Sequence, residues 1–152
     1  MGYRPSQEMR RYNHLVGEID GVYHEMSRKL GLSDSAMLVL YTIYAYKGGC
    51  PLREICRSSG LSKQTVNSSI RALEKQGLIC LVPGRGREVH LYLTERGRRL
   101  AEEKILPAME VENQSLAELG EDAAALLSLQ QRYLEIFRRR IRALIAETPE
   151  EN

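Results

Sequence analysis

The sequence predicts a mainly α-helical chain carrying one small two-stranded β hairpin. Three observations predict it. Apolar residues recur at helical steps along most of the 152 residues, alternation replaces that period only once, after Gly77, and glycine, proline and serine punctuate the joints. With 43% hydrophobic and 28% charged residues, the composition is that of an ordinary globular protein rather than a disordered chain. The length fits one domain, or one core with an extension, burying about two-thirds of its unfolded surface.

The first segment, residues 7–30, places Tyr12, Val16, Ile19, Tyr23, Met26 and Leu30 at alternating steps of four and three, the seam of a helix packed along another helix. Gly17 and Gly21 weaken that helix by about 1 kcal/mol each relative to alanine, so packing must hold it. Gly31 ends it, and Ser33 caps a second helix over 34–46 whose apolar residues point nearly all ways, which puts it at the centre of the fold. Gly48-Gly49 stops this helix. Pro51 suits the first turn of a short helix over 51–58, and Ser62 caps a fourth over 63–76, ended by Gly77. Residues 78–82 and 88–93 then alternate as two strands around Pro83-Gly84-Arg85-Gly86-Arg87, within a hairpin spanning 78–93. Helical spacing returns at Thr94 and runs to about Leu119, with a kink expected at Pro107. After Gly120 a last helix over 122–146 carries Leu127, Leu134, Phe137, Ile141 and Leu144 near heptad spacing, and residues 147–152 read as a frayed acidic tail.

The small net charge of +2 conceals an asymmetry. Residues 47–99 hold eleven Lys and Arg against four Glu, a surplus of +7, so the flanks together carry −5, all of it beyond Leu100. A basic centre between a neutral and an acidic flank suggests a polyanion-binding module held by arms with another task. A clustered but merely solvated surface would give the same count, so the spacing of other residues has to decide.

Two short helices joined by a glycine-containing turn and followed by a hairpin make a winged helix-turn-helix over 33–99. On the fourth helix, Val66, Ile70 and Leu73 form the inward stripe, while Gln64, Ser68, Arg71 and Lys75 fall opposite with Asn67 beside them. That outward face offers amide, hydroxyl and guanidinium groups but no carboxylate. Arginine can pair with guanine and Asn or Gln with adenine, while Ser62, Lys63 and the first backbone N–H groups suit a phosphate. A solvated helix is often rich in Lys and Gln as well, and the Arg-tipped hairpin that follows favours the nucleic-acid reading. Arg85 and Arg87, between glycines that let the backbone lie close, suit a narrow minor groove.

At these residues the sequence resembles the multiple-antibiotic-resistance regulator (MarR) family of bacterial transcription factors. The resemblance runs through Gly60-Leu61-Ser62-Lys63-Gln64-Thr65-Val66, Leu73-Glu74-Lys75-Gln76-Gly77-Leu78-Ile79 and Leu91-Tyr92-Leu93-Thr94-Glu95-Arg96-Gly97, with a leading helix and two long closing helices. One departure matters. Where the family's wing often carries an Asp two residues before its tip Arg, this chain has Arg85 before Arg87, which implies a more basic and less braced tip.

The resemblance implies a homodimer in which residues 7–30 and 94–146 interlock between chains, a double-stranded pseudo-palindromic operator, repression, and release by a small aromatic or phenolic effector. Independently, two heptad seams at opposite ends of one chain are hard to bury within a monomer. Tyr12, Tyr23, Tyr41, Tyr44 and Tyr46, with His14 and His24, supply polar-tipped aromatic surface for an effector, although tyrosines at helical spacing more often belong to a core. Some relatives sense oxidants through cysteine. Cys50, near Lys47 and a helix start, fits a sensor thiol best, while Cys56 and Cys80 read as small buried hydrophobes.

Other classes find little support. No apolar run reaches the roughly 18 residues of a membrane span, and Met1-Gly2-Tyr3-Arg4-Pro5-Ser6 lacks a signal peptide's apolar core, so a cytoplasmic, non-membrane protein is expected. Three cysteines without CxxC spacing make neither a disulfide framework nor a zinc site; no metal and no cofactor are expected. Catalytic fingerprints are missing, His90 falls in a hairpin strand, and Glu102, Glu103, Glu110 and Glu112 read as a solvated helix face, so no enzyme is expected. The rival is a winged helix that docks another protein, whose exposed face would be apolar or acidic; this face is neither.

Overall fold

The computed structural model describes residues 4–47 and 49–147. The stop expected at Gly48 and the tail expected beyond Glu147 lie outside them. Residue contacts divide the chain into two units, with the boundary between Pro107 and Ala108. The first contains α1 (Gln7–Lys29), α2 (Asp34–Ala45), β1 (Cys50–Pro51), α3 (Leu52–Ser59), α4 (Lys63–Lys75), β2 (Ile79–Pro83), β3 (Val89–Leu93) and α5 (Glu95–Leu100). A π-helical turn (Ala101–Ile105) then leads into α6 (Leu106–Glu118), and the second unit holds most of α6 and all of α7 (Asp122–Glu147).

Local chemistry starts the helices where the sequence indicates. Ser33 Oγ accepts the Ala36 N–H at 3.2 Å, Ser62 Oγ accepts the Thr65 N–H at 3.1 Å, and Thr94 Oγ1 accepts the Gly97 N–H at 3.0 Å. Each such cap contributes about 1 kcal/mol. His24 Nδ1 meets Asp34 Oδ2 at 2.9 Å, tying α1 to α2, and this hydrogen bond holds the Asp34 carboxyl below its ordinary value.

Burial gathers on α2. Val39 and Leu40 are fully buried and Ile43 nearly so, and α2 packs against α1, α3, α4, β3 and the π turn. Ile55 of α3, Val66, Ile70 and Leu73 of α4, Leu78, Ile79, Leu91, Ala101 and Ile105 complete this core. Lys104 Nζ donates to the Leu30 carbonyl at 2.6 Å, fastening the π turn to the end of α1.

Two features depart from the sequence reading. The sheet has three strands in the order β1-β3-β2, because Cys50 and Pro51 pair antiparallel with Leu91 and His90. Pro51 is therefore extended (φ −60°, ψ 136°) and precedes α3 instead of opening it. Its fixed φ and missing N–H suit an edge strand as well as a helix start. The disturbance expected at Pro107 falls one turn earlier, in the π turn, where the Leu106 N–H reaches the Ala101 carbonyl. A proline ring crowds the carbonyl four residues back and supplies no N–H, and a widened turn accommodates both.

Apolar rows stay uncovered on the long helices of both units. On α1, Leu15, Val16, Ile19, Val22 and Tyr23 are exposed; on α7, Leu127, Leu129, Leu134, Phe137, Leu144 and Ile145 are exposed.

Gly97 is buried under the Leu78 backbone, and a Cβ built on it would collide with the Leu78 carbonyl oxygen. That oxygen also accepts the Thr94 N–H at 3.1 Å, so it has no freedom to retreat. Gly97→Ala is expected to destabilise the protein by about 3 kcal/mol, the upper end for overpacking, as read from the urea midpoint. An unchanged midpoint would mean that this contact is not present in solution.

Candidate nucleic-acid interface

The turn of the helix-turn-helix runs from Gly60, whose positive φ of 64° ends α3, to Ser62, whose side chain starts α4. Three buried residues of α4, Val66, Ile70 and Leu73, fix which face turns outward, and Ser69 Oγ donates to Ser35 Oγ at 2.7 Å to tie α4 to α2. Ser62, Lys63, Gln64, Asn67, Ser68, Arg71 and Lys75 are all exposed. Among the described residues no carboxylate is paired with Lys63, Arg71 or Lys75, so these cations are available to a ligand. The basic centre as a whole is less free than its count suggests. Arg96 Nη1 donates to the Gln76 carbonyl at 2.9 Å, closing α4, while Arg57 and Arg99 pair with Glu54 and Glu95.

The wing is β2 and β3 in register from Ile79–Leu93 to Pro83–Val89. Its tip is closed by the Gly84 N–H donating to the Glu88 carbonyl at 2.8 Å and by the Glu88 N–H reaching the Arg85 carbonyl at 3.3 Å. Arg85 and Arg87 are exposed there. A cleft of about 630 Å³ runs between α3, the start of α4 and the wing, lined by Arg53, Cys56, Lys63, Asn67, Arg87 and Glu88 among others. The fold thus brings Arg87 to the foot of α4 beside Lys63 and Asn67, and leaves Arg85 at the tip. Sequence reasoning missed Arg53 and Glu88; nothing in their spacing marks them, since only the fold brings α3 to the wing.

The family model described as MarR family matches residues 30–88, from the end of α1 through the wing tip. Among solved structures, NMB1585, a MarR family regulator from Neisseria meningitidis, is 26% identical with a TM-score of 0.77, the match covering 91% of this chain and 99% of that one. Over residues 30–88 the chain matches the MarR family model, and its fold is that of MarR family regulators. A MarR family transcriptional regulator from Silicibacter pomeroyi has the same fold at 22% identity and a TM-score of 0.65, covering 81% of this chain and 84% of that one. NadR, in complex with 4-hydroxyphenylacetate, matches at 17% identity and a TM-score of 0.66 over 88% of this chain and 96% of that one. A search of curated proteins found no match.

The protein has a second cleft, of about 510 Å³, lined by Tyr44, Tyr46, Lys47, Tyr92, Arg98 and Glu102 among others. Of the aromatic residues named from sequence, Tyr44 and Tyr46 lie here and Tyr92 joins them from β3. The Tyr46 hydroxyl donates to Glu54 Oε2 at 3.3 Å. Loss of surrounding water, and then the Glu54 carboxylate, hold this phenol above its ordinary value.

The cysteine reading needs correction. Cys50, expected to be an accessible thiol of lowered pKa, is fully buried because β1 pairs with β3, and burial, then the Glu54 carboxylate, push its thiol up to about 11. Cys80 is exposed on β2 and Cys56 partly so, the reverse of their expected burial. Cys50 is therefore no oxidant sensor by the criteria of access and acidity. Iodoacetamide at about pH 8 should modify Cys80 first, Cys56 more slowly and Cys50 only after unfolding, as peptide mass spectrometry would show. The raised thiol also sets a sign. Burial of neutral Cys50 stabilises the fold below the ordinary value of 9.0, and that contribution is lost as pH rises through about 11.

Proposed function

We propose that this MarR family protein is a homodimeric, sequence-specific DNA-binding regulator that represses transcription by occupying a pseudo-palindromic operator. The observation that carries the reading is the carboxylate-free face of α4 standing beside an arginine-tipped wing, with Lys63, Asn67 and Arg87 on one cleft. In this reading Gln64, Asn67, Ser68 and Arg71 address base edges in the major groove, whereas Ser62, Lys63 and Lys75 hold phosphates. Arg87 lies against the backbone at the foot of α4 and Arg85 enters the adjacent minor groove.

The dimer reading assigns residues 7–30 and 94–146 to the interface, and the uncovered apolar rows on α1 and α7 support it, since such rows on a soluble protein mark surfaces that another chain covers. Two copies of α4 would then stand about 34–36 Å apart, one turn of DNA. An aromatic or phenolic effector is supported by the three tyrosines with Lys47 and Arg98 around the second cleft, and by the 4-hydroxyphenylacetate bound to NadR. The cations would meet a carboxylate and the tyrosines a ring.

The deciding experiment is fluorescence anisotropy on duplex DNA from immediately upstream of the protein's own gene, against a scrambled duplex, across a salt series. Preference for the upstream duplex, with affinity falling steeply in salt, supports the regulator; binding to neither shifts the reading to a protein-docking module. Arg71→Ala is expected to cost roughly 1–3 kcal/mol and to relax sequence preference, whereas Lys75→Ala should weaken both duplexes alike. An equal, uniform loss for both variants would remove Arg71 from base readout.

A further inference from the structure

One ion pair joins the wing to the helix-turn-helix. Arg53 Nη1, in the first turn of α3, lies 3.0 Å from Glu88 Oε1. Glu88 is the residue whose main chain closes the wing tip on both sides, through Gly84 and Arg85, and 70% of its side chain is covered, leaving 30% exposed. The arginine is held from its other edge as well. Its Nε faces Glu54 Oε1 at 3.8 Å, and Glu54 is itself fixed by Arg57 Nη2 at 2.6 Å and by the Tyr46 hydroxyl at 3.3 Å. One guanidinium fork thus spans two carboxylates, one on its own helix and one on the wing.

The sign of the charge makes this arrangement informative. Glu88 lies on the cleft that carries Lys63, Asn67 and Arg87. A carboxylate there repels a polyanion, so by charge alone its removal should tighten binding to any DNA. Among the described residues, neither Arg85 nor Arg87 has a carboxylate partner that would brace it. Among the described residues, the turn's backbone hydrogen bonds and the Arg53–Glu88 pair act on the tip.

We propose that Glu88, acting through Arg53, is the positioning residue of the wing, and that this pair sets where Arg85 and Arg87 stand relative to α4. The inference rests on the DNA-binding reading above. The pair does from α3 what an Asp within the wing would do from position 85. Because α3 leads directly into α4 and buries Ile55 in the same core as Val66 and Ile70, a tip tied to α3 is held in the frame of the recognition helix.

The test has two arms. In the free protein, amide hydrogen exchange at Gly84 and Glu88 should speed up in Glu88→Gln by about three- to fivefold, the scale of a largely exposed ion pair. Arg53→Gln should do the same, and the double variant should exchange no faster than either single one, because the two side chains act as a unit. In anisotropy, Glu88→Gln should bind the upstream duplex about three- to fivefold more weakly while binding the scrambled duplex no worse, against the expectation from charge. Unchanged exchange, additive exchange effects, or equal or tighter binding of the upstream duplex by Glu88→Gln would each overturn the proposal. If the wild-type protein binds neither duplex, the DNA reading falls by itself. The exchange arm then still decides whether Arg53 and Glu88 order the tip.

Discussion

The apolar surface of α2 has to be covered on every side, and the winged unit is arranged to cover it. Val39, Leu40 and Ile43 are buried, and α1, α3, α4, β3 and the π turn pack against α2, with Ile55, Val66, Ile70, Leu73, Leu91, Ala101 and Ile105 buried beside it. A fully buried Val, Leu or Ile contributes roughly 1.5–3 kcal/mol. The same packing determines which residues are left outside. Once Val66, Ile70 and Leu73 face α2, the geometry of a helix requires that Gln64, Ser68, Arg71 and Lys75 face away. The chemistry offered to a polyanion is the complement of the core.

Charge is distributed with a corresponding division of labour. Among the described residues no carboxylate pairs with the cations of α4, whereas several cations around it close structural gaps. Arg96 satisfies the Gln76 carbonyl at the end of α4, and Lys104 satisfies the Leu30 carbonyl at the end of α1. A helix C-terminus presents bare carbonyls and the negative end of its dipole, so a basic side chain placed there stabilises the fold. A count of Lys and Arg does not separate these two uses.

That division explains what could be read from the sequence. Ser33, Ser62 and Thr94 act on backbone N–H groups within one turn of themselves, and the switch from helical to alternating period after Gly77 is equally local; these features were legible. So was the exposed face of α4, because periodicity determines it. What escaped depends on partners distant in the chain. β1 is two residues long and exists only because β3 lies beside it, and its pairing is what takes Cys50 out of water. Arg53 and Glu88 meet for the same reason, and Pro107 acts through the turn before it rather than at its own position.

The close approach of Gly97 to Leu78 has a mechanical meaning. Leu78 immediately precedes β2, so the contact pins the base of a hairpin whose five paired residues per strand carry the tip about 17 Å away. On a lever of that length, a tilt of roughly 10° at the base moves the tip by about 3 Å, close to the spacing of successive base pairs. Tolerances at a residue with no side chain therefore set the accuracy with which the far end of the wing, and Arg85 on it, is placed.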